Sequence, residues 1–442
     1  MSESLEQPFS EQFESLTNAG VLPGGQLPWL SALRRTGIER FQALGFPSQK
    51  VESWKYTSLR PLERTVFHPA TDYTAGVSLD TVPSLLQEQA GHRAVFVNGR
   101  FRADLSRLGR LPDGAEVLGL QQVLETDPDF VARHMGQIAD GHQDQAFYHL
   151  NSAFTRDGLV LRMRQGARVE EPIEVVTISA AGEEPLAYHP RNLIVLDAES
   201  EATLVEYHVG LSAGTALSNV VTEFDVGRAA KLHHYKLQGE SESAFHMHTL
   251  HGRVQADGFY DGFGLTIGGK LSRNELHVRL EGSGADARLN GGYLQHGKQQ
   301  CDNTTLIEHT VPDTWCREIF KGALAGKSRG VFQGKLHVHP DAQRTDGNQL
   351  SRCLLLSDEC EIDAKPELEI YADDVVCSHG STAGSLDAQA LFYMRSRGIP
   401  YAAARRLLVE SFLAEGVAEM TSEALREAFM VPVRNWLDNV QA

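Results

Sequence analysis

The sequence lacks the cysteine patterns that would staple a fold or bind a metal without help. Its five cysteines are Cys301, Cys316, Cys353, Cys360 and Cys377, an odd number with no Cys-x-x-Cys pair. These spacings disfavour a disulfide framework and a self-contained zinc or iron–sulfur site. Any metal chemistry would therefore need ligands from elsewhere in the fold or from another chain.

Long apolar runs and an excess of basic charge are also missing. Runs such as 193–196 stop far short of the ~20 residues that a membrane helix requires. A net charge of −17 should repel nucleic acid and anionic lipid. The first 33 residues hold no Lys or Arg, unlike a secretory signal or a transit peptide. We expect an unprocessed cytoplasmic protein that binds neither nucleic acid nor membrane.

The middle of the chain, from about residue 158 to 376, is patterned as short strands separated by small polar turns. Predicted strands include 173–178, 192–196, 202–207, 219–226, 231–237 and 275–280. A sandwich or barrel and a solenoid of stacked coils can both use such strands. Small-residue turns at irregular intervals of about 25 to 30 residues slightly favour a β-helix. A carbohydrate-active β-helix is disfavoured, because the chain has only four Trp and no secretion signal.

Helical patterns flank this β region on both sides. The N-terminal third shows helical spacing at 30–44 and 118–135, with an extended stretch at 93–97 that reaches an Asn-Gly hairpin turn. After His379, apolar residues at helical spacing return in three short segments. Three short helices bury too little by themselves, so we expect them to pack on the β body or on a partner.

The segment 322–328 imitates a nucleotide-binding phosphate loop. A phosphate loop needs four residues between its glycines, whereas three separate Gly322 from Gly326. The segment also lies among predicted strands with no βαβ unit after it. The sequence therefore disfavours nucleotide binding by this chain.

Histidines are numerous, 18 in all, and several occur in pairs. The pairs are His233 with His234, His246 with His248, and His337 with His339. Two histidines separated by one residue project from the same face of a strand, as in metal-binding barrels of the cupin kind. A cupin-like site would also want a glutamate a few residues on, and none follows His339. We expect the rings to lie along a solvated sheet face; the alternative is a cupin-like metal-dependent enzyme using His337 and His339.

Cys377 and His379 are the most informative pair. In an extended segment they would lie on one face, at the junction of the β body and the C-terminal helices. A thiol and an imidazole together form a soft metal-ligand or sulfur-handling pair. Two ligands cannot fill a four-coordinate site, so completion by a second protein is the favoured hypothesis. The alternative is a buried thiol beside a histidine that caps the next helix.

Several segments together resemble the SufB/SufD family of iron–sulfur cluster assembly proteins. The segment Lys-Pro-Glu-Leu-Glu-Ile-Tyr-Ala-Asp-Asp-Val-Val-Cys-Ser-His-Gly at 365–380 is similar to the family's signature for the last strands of its β-helix. The segment 326–335 resembles another family block, which explains the false phosphate loop. Glu-Ser-Trp-Lys-Tyr-Thr at 52–57 resembles an N-terminal motif of the SufD branch. SufB-type chains lack that motif and carry a Glu-His-Glu-like sequence at the position of 377–380, so the resemblance favours the SufD branch.

The resemblance implies a mainly β fold, a right-handed parallel β-helix with helical domains at its N-terminal and C-terminal ends. Expected boundaries are 1–150 for the N-terminal domain, 151–380 for the β-helix and 381–442 for a C-terminal domain that docks the SufC ATPase. The β-helix would pair with SufB, and the isolated chain could form a homodimer. We expect a non-catalytic scaffold subunit that contributes to cluster assembly and iron acquisition.

The resemblance also implies a shared cluster-assembly site. Cys377 and His379 would lie at the SufB interface and act as metal ligands together with groups from SufB. The iron–sulfur cluster would be transient and shared, so the isolated chain would hold no cofactor stably. Reduced flavin could serve as reductant in the complex. A neighbouring imidazolium is expected to lower the pKa of the Cys377 thiol.

Overall fold

The computed structural model describes residues 6–70, 76–87, 90–138 and 144–440 and consists mainly of two long β-sheets. The strands are numbered β1 to β22 in chain order. The first sheet contains β1 (His68–Pro69), β5 (Ala115–Gly119), β6 (Leu159–Met163), β8 (Leu186–Tyr188), β9 (Arg191–Leu196), β11 (Ala216–Val226), β13 (Phe245–Val254), β15 (Leu271–Leu280), β17 (Gln300–His309), β19 (Arg329–Val338) and β21 (Glu361–Ile370). The second sheet contains β2 (His92–Val97), β3 (Arg100–Phe101), β4 (Arg107–Leu108), β7 (Ile173–Ser179), β10 (Glu201–Gly210), β12 (Lys231–Gly239), β14 (Phe259–Thr266), β16 (Asp286–Gln295), β18 (Trp315–Leu324), β20 (Thr345–Leu355) and β22 (Val375–Gly384).

From β9 onward, successive strands alternate between the two sheets, and each pairs in parallel with the strand two places along the chain. One coil of the stack therefore comprises one strand of each sheet. Phe245 lies beside Leu271 and Arg329 lies beside Glu361, so the offset between paired strands ranges from 26 to 32 residues. The result is a parallel β-solenoid of about eight turns. The predicted β-helix is confirmed, and the sandwich or barrel is not adopted.

One corner of the solenoid repeats the same left-handed backbone conformation in coil after coil. The residues with positive φ at this corner are Glu199, Ala229, Asp257, Gly284, Asp313 and Arg344. Each of these residues donates its backbone N–H to a carbonyl of the next coil, as Ala229 does to Ala256 at 2.8 Å. The small or polar turn segments 198–200, 227–229, 255–258 and 282–284 all fall at this corner. Glycine and short polar residues, such as Gly284 and Asp257, tolerate the conformation best.

Alternate residues of each strand point into the solenoid. In β18, Cys316, Glu318 and Phe320 are buried, whereas the residues between them are partly or fully exposed. Both sheets contribute small and medium apolar side chains to one continuous core, with members such as Leu336 and Leu289. Because side chains alternate between the two faces of a strand, this alternation determines which side chains can contact each other from one coil to the next.

Helices occur both before and after the main run of solenoid strands in the sequence. They are α1 (Glu6–Asn18), α2 (Pro28–Leu44), α3 (Arg60–Glu63), α4 (Leu120–Thr126), α5 (Pro128–His134), α6 (Ala146–Phe154), α7 (Ala388–Ser396), α8 (Tyr401–Val417) and α9 (Glu423–Asn439). The helical patch predicted at 118–135 is two helices, because the Asp127 side chain caps α5 by accepting the Phe130 N–H at 3.2 Å. The predicted Asn-Gly hairpin is confirmed by antiparallel pairing of β2 with β3.

The C-terminal helices pack on the outer face of the second sheet. Phe429 of α9 contacts the rings of Tyr235 and Phe263, with centroid separations of 6.5 and 5.8 Å. Val409 and Leu413 of α8 belong to the same apolar cluster. These helices were expected to pack on the β body or on a partner, and they pack on the β body. Within the described ranges, no helix combines the length and apolar content needed to cross a bilayer. The domain boundaries at 150 and 380 stay predictions.

Candidate functional site

The last coil of the solenoid leaves one edge of each sheet open. Within the described part of the chain, β21 pairs only with β19, and β22 pairs only with β20. Side chains around these edges are exposed, including Tyr371 at 61% and Val376 at 69%. An unpaired strand edge offers a row of backbone donors and acceptors that a second chain can extend.

Cys377 and His379 lie in β22 on the side that faces the solenoid interior. The register places Cys377 beside Gly347 and His379 beside Gln349 of β20. Gly347 and Gln349 occupy buried, inward-facing positions of that strand. The prediction that the thiol and the imidazole share one face of an extended segment is therefore confirmed.

The alternative role for His379, as the cap of the next helix, is wrong. The Asp387 side chain caps α7 by accepting the backbone N–H groups of its first turn. β22 continues to Gly384, so His379 lies in the middle of a strand. Its imidazole is exposed because no further coil covers it.

Gly347 leaves room for two sulfur atoms beneath the open end. A Cβ atom at this position would lie 3.4 Å from Cys316 Sγ and 3.5 Å from Cys377 Sγ. Both thiols therefore border the same small space, one from β18 and one from β22. His309 Nε2 lies 3.2 Å from Cys316 Sγ and adds an imidazole to this group. No sequence pattern pointed to Cys316 as a partner of Cys377, or to His309.

Burial keeps these groups uncharged in the isolated chain. It raises the pKa of the Cys377 thiol and raises that of Cys316 well above its usual range. It also lowers the pKa of the His309 imidazole to about 4. The expected lowering of the Cys377 pKa by an imidazolium is therefore wrong. A metal ligated by these thiols would have to displace their protons.

A buried carboxyl group lies beneath His379. Gln349 Nε2 donates a hydrogen bond to Glu318 Oε2 at 2.6 Å, and both side chains are buried. Burial raises the pKa of Glu318 to about 7. Glu318 Oε1 and Gln349 Oε1 have no hydrogen-bond partner among the described residues. The register stacks Glu318, Gln349 and His379 in successive coils, so a polar column leads from the core to the open end.

Most of the paired histidines do not lie on a solvated sheet face, contrary to expectation. His233, His234, His246 and His248 are all buried. They belong to polar networks within or against the sheets; His234 Nε2, for example, lies 2.5 Å from Glu206 Oε1. The expectation failed because an inward-facing polar residue and an outward-facing one follow the same alternation along a strand.

A lysine lies at the centre of one of these networks. Lys236 Nζ contacts His248 Nδ1 and Asn274 Oδ1, both at 2.8 Å. Burial lowers the pKa of Lys236 to about 8, although Glu206 and Glu240 oppose this. Burying such charges is tolerated because these groups pair with one another, as His246 Nδ1 does with Glu240 Oε2 at 2.7 Å.

His337 and His339 are the pair that remains accessible to solvent. His337 lies near the end of β19, in the first sheet, and His339 directly follows that strand, whereas Cys377 and His379 lie in the second sheet. The structure supplies the carboxylate that the sequence did not, because Glu308 of β17 lies beside His337 in the register. This cluster shares no residue with the Cys377–His379 pair but adjoins the open edge, because the His337 ring contacts that of Tyr371, with centroids 5.7 Å apart.

The solenoid and the end of its last coil correspond to a known domain. The family model described as SUF system FeS cluster assembly, SufBD core domain, matches residues 177–412, more than half of the chain. The chain belongs to the SufBD family. The SufBD protein N-terminal region matches residues 4–175. Family membership gives the protein a role in iron–sulfur cluster assembly.

Curated relatives support this assignment along nearly the whole chain. The iron–sulfur cluster assembly protein SufD of Escherichia coli K12 is 29% identical over 90% of this chain and 90% of its own length. A SufBD family protein of Synechocystis is 28% identical over 92% of this chain and 90% of its own. SufD of Bacillus subtilis 168 is 25% identical over 90% of this chain and 92% of its own. The chain is thus similar to the SufD branch.

The N-terminal motif that resembles the SufD branch anchors the helical region to the first sheet. The Arg273 guanidinium lies 3.8 Å from the centre of the Trp54 ring and donates to the Ser53 carbonyl at 2.8 Å. Arg273 is itself buried and paired with Asp302. These contacts give the motif a structural role along the first sheet, and Glu52 extends it to the edge strand β21, where Lys365 Nζ lies 2.7 Å from Glu52 Oε1.

The false phosphate loop is a corner between strands. It ends β18, turns at Gly326 with φ of +69°, and enters β19. No helix follows it, so the helix N-terminus that a phosphate loop uses is missing from this segment. The resemblance of 326–335 to a family block accounts for its glycines.

Proposed function

We propose that the protein is a non-catalytic scaffold subunit of a cytoplasmic cluster-assembly complex. Its solenoid would pair with SufB through the open end, and its C-terminal helices would dock the SufC ATPase. Cys377 and His379 would contribute to a cluster-assembly site shared with SufB and support iron acquisition. The observation that carries this proposal is the open last coil with a thiol and an imidazole on its inward face.

An unpaired end with two long edge strands favours a β-rich partner. β21 and β22 are ten residues each, and an exposed edge of that length is a site for strand pairing. A SufB chain docked there would cover Val376 and Tyr371, which are exposed in the isolated chain. Two copies of this chain could use the same edges in the absence of SufB, which gives the homodimer expected in isolation.

Ligand number explains why the site needs a partner. Cys377 and His379 offer two ligands, whereas clusters and tetrahedral metal sites use about four. Two groups from SufB would complete the set around the cluster, which is the cargo of the complex and is held only transiently. The raised pKa of Cys377 means that the free chain presents a protonated thiol until iron arrives. Reduced flavin remains a proposed reductant.

The C-terminal helices supply a surface for the ATPase. Aromatic and aliphatic side chains are exposed on α7 and α8, among them Phe392 at 74% and Leu407 at 48%. The opposite side of α8 is fixed to the solenoid, where Lys321 of β18 donates to the Phe412 carbonyl at 3.0 Å. A movement of α8 on ATP binding would therefore be transmitted to β18, two coils below the open edge.

The test replaces His379 in a strain that depends on this protein. The change His379→Ala should leave the complex with SufB and SufC intact and abolish maturation of iron–sulfur enzymes, because a ligand is lost from an otherwise unaltered strand. Ser378→Ala is the matched control, since Ser378 lies on the opposite face of the same strand and bonds Asn348. Complex formation is measured by co-purification and maturation by aconitase activity in extracts.

Two results would contradict the assigned role of His379. One is normal enzyme maturation in the His379→Ala strain. The other is loss of SufB from the purified complex, which would make the residue structural. The Ser378→Ala strain should mature its enzymes normally in either case.

A further inference from the structure

A cluster of two histidines and a glutamate lies on the outer face of the first sheet. Glu308 of β17 and His337 of β19 are direct neighbours in the register, and His339 follows two residues later. Their side chains are 17%, 25% and 36% exposed. Within the described residues, this is the one group of three or more His, Cys, Asp or Glu whose ligand atoms all lie within 4.8 Å of one another.

The spacing of these atoms suits a shared ion better than direct hydrogen bonds. Glu308 Oε1 lies 3.4 Å from His337 Nδ1 and 3.5 Å from His339 Nε2. Hydrogen bonds of this kind are about 2.7 to 3.2 Å long. Tetrahedral ligands about 2.1 Å from a metal are separated by about 3.4 Å. The two imidazoles also stack, with centroids 4.3 Å apart, so both rings present an edge to the same carboxylate.

The other carboxylate oxygen of Glu308, Oε2, is held in place by two neighbouring side chains. His277 Nε2 lies 2.7 Å from Oε2, and Arg279 Nε lies 3.4 Å from it. Ligating carboxylates in metal sites are oriented by hydrogen bonds of this kind.

We propose that Glu308, His337 and His339 bind one divalent transition-metal ion, with Glu308 Oε1 facing the ion and Oε2 fixed by His277. Two imidazoles and one carboxylate are a donor set that suits zinc, iron, cobalt and nickel. Three protein ligands at an accessible surface leave the remaining coordination positions open to water or another ligand. The proposal concerns binding and does not depend on the proposed function, because no ligand is shared with Cys377 or His379.

The experiment measures binding of cobalt(II) to the full-length chain. This chain carries Cys377→Ser, so that the accessible thiol cannot bind the metal. After treatment with a chelator, calorimetry should show one Co²⁺ bound per chain, with visible d–d absorption. Loss of an orienting contact in a metal site typically weakens binding about 10- to 100-fold. Glu308→Gln and His337→Ala remove direct ligands, so each should weaken binding by at least about 100-fold.

His296→Ala is the matched control. His296 is also a partly exposed histidine, and its Nε2 lies 3.2 Å from Glu242 Oε1, yet within the described residues it belongs to no group of three or more candidate metal ligands. This variant should bind Co²⁺ like its parent. Equal affinity in the parent and in Glu308→Gln or His337→Ala would overturn the proposal, as would the lack of stoichiometric binding in the parent.

A measurement without substitutions at the site covers the case in which those variants fail to fold. Diethylpyrocarbonate modifies accessible imidazoles, and mass spectrometry locates the product. Zn²⁺ should protect His337 and His339 from this reagent while His296 continues to react. Equal modification of His337 and His339 with and without Zn²⁺ would overturn the proposal.

Discussion

The two ends of the solenoid differ in the length and exposure of their edge strands. At the N-terminal end, the sheets finish in the short antiparallel strands β5 and β3, five and two residues long, and α4 packs beside β5. At the C-terminal end, both sheets finish in ten-residue strands with a free edge. Short edge strands are a known protection against unwanted pairing. The difference supports the proposal that a partner binds the C-terminal end.

The largest difference between the ends should appear in the stability of the isolated chain. Phe96 of β2 is 2% exposed and contacts Phe101, with ring centroids 5.4 Å apart. Phe96→Ala should lower the free energy of unfolding by about 3–5 kcal/mol, because it removes a buried ring and leaves a cavity. Tyr371→Ala, at the open end, should change it by less than about 0.5 kcal/mol. Urea denaturation of the two variants measures both values.

A comparable loss of stability in both variants would contradict this contrast. It would mean that Tyr371 makes stabilising contacts beyond the one with the His337 ring, 5.7 Å away, for example with a second copy. Sedimentation of the two variants would then separate a homodimer contact from a contact within one chain.

The next largest effect concerns the buried carboxyl beneath the open end. The folded chain keeps a proton on Glu318 up to about pH 7, whereas the unfolded chain releases it near its ordinary pKa of 4.5. The wild-type protein should therefore lose stability relative to Glu318→Gln as the pH rises from 4.5 to 7. The full difference is about 3 kcal/mol, reached above pH 7. Denaturation of both proteins at pH 5 and pH 8 measures it.

Glu361→Gln is the control for this experiment, because Glu361 lies on the open edge and its side chain is 71% exposed. Its effect on stability should differ little between pH 5 and pH 8. The effect of Glu318→Gln on stability is compared with that of the control at pH 5 and pH 8. If the two effects change equally little with pH, Glu318 is ionised in the folded chain, and the polar column beneath His379 carries a charge.

A smaller effect is expected in the chemical reactivity of the thiols. Cys377 is half-buried, whereas the other four cysteines are buried. Iodoacetamide should modify Cys377 first in the native chain, and SufB should slow this reaction by covering the open end. Its rate should keep rising with pH above the usual range for a thiol, because the pKa of Cys377 is raised. Mass spectrometry of timed samples follows each cysteine; faster reaction at Cys353 would be the contrary result.

Features that depend on a single strand or turn could be predicted from the sequence. The repeated corners are visible because each needs a left-handed residue, and Asp257 and Gly284 are of that kind. The shared face of Cys377 and His379 follows from the period of two alone. The resemblance of segment 365–380 to the SufB/SufD family predicted the family and, with it, the fold.

Features that depend on which coils meet could not be predicted. The offset between coils varies from 26 to 32 residues, so no fixed spacing relates Cys316 to Cys377 or Glu308 to His337. The burial of His246 and His248 was missed for another reason: they face inward toward Lys236 of the opposite sheet. Sequence alternation gives two faces and does not say which one is inside.

Hydrogen exchange of the last strands tests the central claim most directly. Backbone amides of β21 and β22 are measured by mass spectrometry in the isolated chain and after addition of SufB, with the buried central strand β12 as internal reference. We predict that exchange in β22 slows on addition of SufB while β12 is unchanged. Unchanged exchange in both β21 and β22, in a sample where SufB is bound, would show that the open end is not the interface.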